Sequence, residues 1–87
     1  MLYARLDQQK RRDFIERLQP LGFTLILGQE EIVTSPFPFA VSLEEKTIAC
    51  LTTASYSALA LSNGAILSDE DFEEKINQYI QGEKNGW

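Results

Sequence analysis

The sequence predicts an α+β domain in which an antiparallel β-meander of four to six strands is flanked by an N-terminal and a C-terminal helix. Apolar stripes with helical spacing occur near both ends of the chain, and alternating apolar and polar residues occupy its middle. Turn-forming residues separate the short β-type runs. The length of 87 residues suits one domain, which we expect over residues 1–82, followed by a flexible tail at 83–87.

The first helix is predicted over residues 8–18, with Asp7 as its N-cap. Three apolar residues share one arc of the helical wheel: Phe14, Ile15 and Leu18. Arg11 falls inside the same arc, where its aliphatic stem would cover the edge of the core while its head reaches water or Asp7. A proline at position 20 and a glycine at position 22 end the helix.

The strands are predicted from β-type runs in the middle of the chain. Residues 23–27 and 31–34 would form a hairpin around a polar turn. The two prolines within 35–38 interrupt pairing, because proline has no N–H to donate to a β-ladder. Residues 39–43 alternate between apolar and polar, and residues 47–52 would pair back onto them.

Residues 54–61 fit either a strand or a helix. Their alanines favour a helix, which Asn63-Gly64 would end as a C-cap. The same dipeptide between two apolar runs is also a strong signal for a type I′ hairpin. We favour the hairpin, and both interpretations stay open at this point.

The last helix is predicted over residues 69–81. Ser68 and Asp71 have the spacing of a capping box, and acidic residues fill the first turn, where the helix dipole favours negative charge. One face carries an apolar stripe: Phe72, Ile76, Tyr79 and Ile80. Gly82 is suited to the residue that follows the helix.

The residue types present exclude much chemistry. Histidine is absent and Cys50 is the single cysteine, so the chain has no Ser-His or Cys-His pair and no internal disulfide. The acidic run from Asp69 does not fit a calcium-binding EF-hand loop, since Glu74 and Ile80 occupy the positions that need glycine and glutamate. We predict no catalytic residue, no metal and no cofactor, and we expect Cys50 to be a small buried side chain.

The charge distribution is uneven. Residues 1–20 carry five basic and three acidic side chains, a balance of +2, whereas residues 68–87 carry six acidic and two basic ones, a balance of −4. The total of −5 disfavours binding to nucleic acid, which depends on contacts to phosphate. No apolar run is long enough for a membrane span, and a free cysteine without a signal peptide suggests the cytosol.

These observations best fit a non-enzymatic protein that occupies another protein's surface, such as a bacterial or phage inhibitor, antitoxin, immunity or accessory protein. The partner would be a protein, for example a basic one, or a second copy pairing through a sheet edge. The candidates for partner contact are Phe37, Phe39, Asp69, Glu70, Glu73 and Trp87. The alternatives are a nucleic-acid-associated module that uses the basic first helix, and a histidine-free enzyme with carboxylate chemistry.

Overall fold

The computed structural model describes residues 1–52, Ala54, Ser57 and 66–84. Within residues 1–52 and 66–84 the chain forms four strands, three helices and one 3-10 turn. In chain order they are β1 (Leu2–Ala4), α1 (Gln8–Leu18), the 3-10 turn (Gln19–Leu21), β2 (Thr24–Leu25), α2 (Gln29–Thr34), β3 (Phe39–Ser42), β4 (Thr47–Cys50) and α3 (Asp69–Lys84). The α+β class and the helices near the two ends are therefore confirmed.

The four strands form a mixed sheet in the order β1-β3-β4-β2. β3 pairs antiparallel with both β1 and β4, but β2 pairs parallel with β4. The prediction of a purely antiparallel meander was therefore wrong. A two-residue hairpin turn joins only antiparallel neighbours, so the parallel partner has to come from a distant part of the chain.

The error begins at residues 31–34, which were predicted as a return strand and instead belong to α2. Glu30 and Glu31 lie in the first turn of this helix, where its dipole favours negative charge. Ile32 and Val33 are adjacent and both buried, which a helix face allows and a strand with one buried face does not. β1 was not predicted, and it fills the sheet position that the missing return strand leaves.

The predicted caps and hairpin are present. Asp7 accepts a hydrogen bond from the Lys10 N–H at 2.8 Å, and Ser68 Oγ accepts one from the Asp71 N–H at 3.1 Å. β3 and β4 pair from Phe39 opposite Cys50 onward. α3 continues through Gly82, which is buried, to Lys84, because its apolar stripe is still in contact with the core at Tyr79 and Ile80.

Ala54 and Ser57, the two described residues of the ambiguous segment, both have helical conformation. The predicted hairpin at Asn63-Gly64 lies outside the described residues, as does the end of the predicted tail at 85–87. No helix among the described residues is long and apolar enough to cross a membrane.

The core lies between the helices and one face of the sheet. The Phe72 ring of α3 meets Phe14 of α1 and Phe39 of β3 edge to face, with ring centres 5.1 and 5.9 Å apart. Edge-to-face contacts of this kind add to the gain from apolar burial. Ile48 of β4 is fully buried in the same cluster. This packing fixes α1 and α3 side by side and positions the surfaces described next.

Candidate functional site

The two phenylalanines proposed for partner contact lie in different environments. The Phe39 side chain is 0% exposed and belongs to the core, so its ring is not available to a partner in this fold. Phe37 is half-buried in the irregular segment before β3, and the next residue, Pro38, is buried. Only Phe37 therefore stays among the surface candidates from this segment.

The Phe37 segment is anchored from inside by Arg11, which is only 5% exposed. Its Nε donates to the carbonyl oxygen of Leu6 at 2.8 Å, its Nη1 donates to Ile32 and Ser35 at 2.8 and 3.1 Å, and its Nη2 donates to Phe37 at 2.9 Å. The Ile32 carbonyl belongs to the last turn of α2, where backbone acceptors lack helical partners. Arg11 thus joins the start of α1, the end of α2 and the segment before β3.

Burial lowers the pKa of the Arg11 guanidinium from its ordinary value, while the negative charges of the Cys50 thiolate form and of Asp7 act in the opposite direction. The sequence predicted that the head of Arg11 would reach water or Asp7, and the carbonyl cluster replaces that arrangement. A planar guanidinium with five N–H donors suits such a cluster of acceptors. The arrangement is structural, because its donors are directed at backbone oxygens of this chain.

The acidic candidates on α3 face the basic residues of α1. Asp69 forms an ion pair with Lys10 at 2.7 Å, and Glu73 forms one with Arg17 at 3.3 Å. The carboxylate of Asp69 raises the pKa of Lys10. Glu70 is exposed. The two charge excesses seen in the sequence therefore neutralise each other in part, through two ion pairs between the helices, and leave less charge for a partner.

Arg12 is likewise engaged, in an ion pair with Glu30 of α2 at 2.8 Å. The Arg12 guanidinium lowers the pKa of the Glu30 carboxyl, and the carboxylate raises the pKa of Arg12. The basic side chains Lys10, Arg12 and Arg17 thus all pair within the chain, which weakens the case for phosphate binding by α1. Trp87 lies outside the described residues.

A small cleft between α1 and α3 has a volume of about 240 Å³ and includes the ion-paired Lys10 and Arg17. This volume is below the usual size of a small-molecule pocket. A larger groove of about 790 Å³ runs along α3, but its described lining residues all come from that one helix. Among the described residues no three carboxylate or cysteine side chains are grouped so that they could hold a metal ion.

Two exposed apolar side chains follow β2. Ile26 is 60% exposed and Leu27 is 37% exposed. The sequence predicted both residues to lie in a hairpin strand, and neither was predicted as a partner contact. The run of three apolar residues at 25–27 could have indicated the exposure of Ile26, because a strand with one buried face exposes the alternate positions.

The backbone beside these residues is open on one side. The Thr24 N–H donates to Lys46 O and the Ile26 N–H donates to Ile48 O, both at 2.9 Å, so these two residues face β4. Since backbone groups alternate in direction along a strand, the N–H and C=O of Leu25 point to the outer side. No partner for them occurs in the described part of the chain. We call residues 24–27 the β2 edge.

No protein-family model matches the chain, and no curated protein or solved structure is significantly similar to it. Function is therefore argued from the surface alone. Of the surfaces above, the β2 edge is the one that combines exposed apolar side chains with outward-pointing backbone groups. The charged surface between α1 and α3 is largely self-paired.

Proposed function

We propose that this protein is a small non-enzymatic module that binds another protein through the β2 edge. An inhibitor, antitoxin, immunity protein or assembly accessory would act in this way, by occupying the surface of its partner. The observation that carries the proposal is the exposure of Ile26 and Leu27, at 60% and 37%, beside the outward-facing backbone of Leu25. Exposed apolar surface next to the unpaired edge of a strand is unfavourable in water, and covering it with a partner is favourable.

The other two hypotheses have weaker support. The pKa of the Glu30 carboxyl is lowered by its surface ion pair with Arg12, which is a structural cause and gives no support for acid–base chemistry. The nucleic-acid hypothesis depended on the basic residues of α1, and three of them are engaged by carboxylates of this chain. The half-buried thiol of Cys50 is free, which suits a reducing compartment such as the cytosol.

The proposal is tested by affinity capture from the native host with three baits: the wild-type chain, the double variant Ile26→Ser/Leu27→Ser, and the control variant Glu74→Gln. Glu74 is exposed on α3 and is not among the candidates for partner contact. We expect the wild type and the control to capture the same protein, and the double variant to lose it while its melting temperature falls by less than about 10 °C. Equal capture by all three baits would show that the β2 edge is not the binding surface. No capture above bare resin would reject the proposed binding function.

A further inference from the structure

The β2 edge has the hydrogen-bonding pattern of a sheet that can accept one more strand. Leu25 presents one N–H donor and one C=O acceptor outward, and the exposed side chain of Ile26 stands next to them. An extended peptide satisfies such groups with its own backbone, while its alternate side chains pack on the neighbouring apolar surface. A helix cannot do this, because its backbone groups are already used internally.

Acidic side chains flank both ends of the β2 edge. At one end, the Glu31 Oε1 lies 3.5 Å from the position of a Cβ built on Gly28, the residue that follows the edge. At the other end, Glu44 and Glu45 lie in the turn just before Lys46, whose carbonyl oxygen bonds to Thr24.

These acidic groups are not neutralised locally. All three of these glutamates are exposed, and none has an ion pair within residues 1–52 and 66–84. The nearby cation of Lys46 is already 3.8 Å from the carboxylate of Glu83. Negative charge at both ends therefore surrounds a short apolar centre.

We propose that the β2 edge accepts an extended segment of a partner protein as an added strand, with apolar side chains at its centre and lysine or arginine at its ends. This inference rests on the proposed function and specifies the chemistry of the partner. The apolar centre would pack on Ile26 and Leu27, and the basic ends would meet the carboxylates that flank the edge.

A second copy of this chain fits the β2 edge less well. In a two-fold antiparallel pairing about Leu25, the end of the edge next to Glu31 in one copy lies beside the Glu44 and Glu45 turn of the other. Like charges opposite each other are destabilising, and each copy also carries a net charge of −5. A basic segment turns the same carboxylates into a source of attraction.

The test is selection of a displayed library of random peptides, each about twelve residues long, against the full chain, because strand addition needs only a short extended segment. We expect enrichment of peptides with alternating β-branched or apolar residues and basic ends. With one such peptide bound, the backbone amide signals of residues 24–27 should shift in an NMR spectrum. Hydrogen exchange of the Leu25 amide should slow. N-methylation of the peptide at the residue that bonds to Leu25 should abolish binding.

The charge argument has its own matched variants. Glu31→Gln/Glu45→Gln should lower the affinity for the selected peptide about 3- to 10-fold and reduce the salt dependence of binding, since two screened charge contacts are removed. Asp71→Asn/Glu74→Gln removes the same charge from α3 and should leave binding unchanged. Equal effects of the two pairs would show that only net charge matters and would overturn the specific contacts.

Other outcomes also decide the question. The inference would be overturned if no peptide is enriched, or if the enriched peptides are acidic or helical. It would also be overturned if the NMR shifts are confined to α3, or if two copies of the chain pair through Leu25 as the concentration rises. If host capture depends on Ile26 and Leu27 while no basic strand is selected, the proposed function stands and the partner chemistry fails. If basic strands bind the edge but capture ignores both residues, the proposed function fails instead.

Discussion

The two edges of the sheet differ in how the chain treats their backbone groups. At β1, the Leu67 N–H donates to Tyr3 O at 2.8 Å, and Leu67 also forms a bridge with Ala4. At β2, the outward groups of Leu25 meet no partner in the described part of the chain. An unpaired edge is a hazard for unwanted association, and natural proteins limit it by keeping such strands short. The two-residue length of β2 therefore suits one specific added strand and discourages extended stacking.

The region next to the β1 edge is also held by more hydrogen bonds from a buried side chain. Arg11 joins Leu6, which follows β1, to the end of α2 and to the segment before β3. The start of α2, which follows the β2 edge, is held by the exposed ion pair of Arg12 with Glu30. Adjacent arginines on one helix thus serve the two sides of the molecule in different ways, one through a buried carbonyl cluster and the other through surface charge.

The largest expected effect on stability is at Arg11, on the β1 side of the molecule. Arg11→Met should lower the free energy of unfolding by about 3–5 kcal/mol, because four buried or part-buried carbonyl oxygens lose their donor. Arg12→Met is the matched control at the next position, and its denaturation midpoint should stay close to that of the wild type, since it loses one exposed ion pair. Urea unfolding of both variants measures the difference.

Arg11→Lys separates charge from geometry in this cluster. Lysine keeps the positive charge, but its compact ammonium group cannot reach all the carbonyl oxygens that the guanidinium spans. Arg11→Lys should therefore resemble Arg11→Met more than the wild type. A lysine variant with wild-type stability, or equal small losses for Arg11→Met and Arg12→Met, would contradict the structural role of the cluster.

The second expected effect compares the edges directly by native-state hydrogen exchange. The Leu67 amide is bonded to Tyr3 O, whereas the Leu25 amide points outward. We expect Leu67 to exchange at least about tenfold more slowly than Leu25 after correction for intrinsic rates, because exchange at Leu67 first requires opening of its hydrogen bond. Similar protection at both positions would mean that the β2 edge is covered in solution, and the contrast between the edges would fail.

The sequence predicted local structure better than it predicted pairing. The caps at Asp7 and Ser68 and the alternation in 39–43 act over a few residues, and the corresponding α1, α3 and β3 are present. The parallel pairing of β2 with β4 joins residues more than twenty positions apart, as Thr24 opposite Thr47 shows. No local pattern encodes that choice, and the same holds for the carbonyl partners of Arg11.

The candidate site was harder to predict for the same reason. Whether Ile26 is covered depends on which strand occupies the next position in the sheet, and the sequence suggested a neighbour, residues 31–34, that became a helix. Phe39 was among the candidates for partner contact, yet the packing against Phe72 placed it in the core. Charge was visible in the sequence, but its cancellation between α1 and α3 required the fold.

A smaller effect on stability is expected at the open edge itself. Ile26→Ser/Leu27→Ser should lower the free energy of unfolding by no more than about 1 kcal/mol, because both side chains retain substantial contact with water. Ile48→Ser, in the neighbouring strand, is the buried control and should cost at least about 3 kcal/mol. Thermal unfolding of the three proteins is the measurement. A large loss in the double variant would show that these residues support the fold, which would weaken their assignment to a partner.

The smallest effect concerns the Arg12–Glu30 ion pair and its dependence on pH. The guanidinium lowers the pKa of Glu30 in the folded chain, so the pair contributes stability above the pKa of the unfolded state. That contribution is lost as the pH falls through the lower, folded pKa. Glu30→Gln should therefore be slightly less stable than the wild type at neutral pH, and the two proteins should converge once the pH falls below the folded pKa of Glu30. An NMR titration of the Glu30 carboxyl should give a midpoint below that of an ordinary glutamate, and about 0.5 M salt should shift it back because this exposed pair is screened. An unshifted midpoint, or a stability difference that persists unchanged at acid pH, would show that the start of α2 does not depend on this charge.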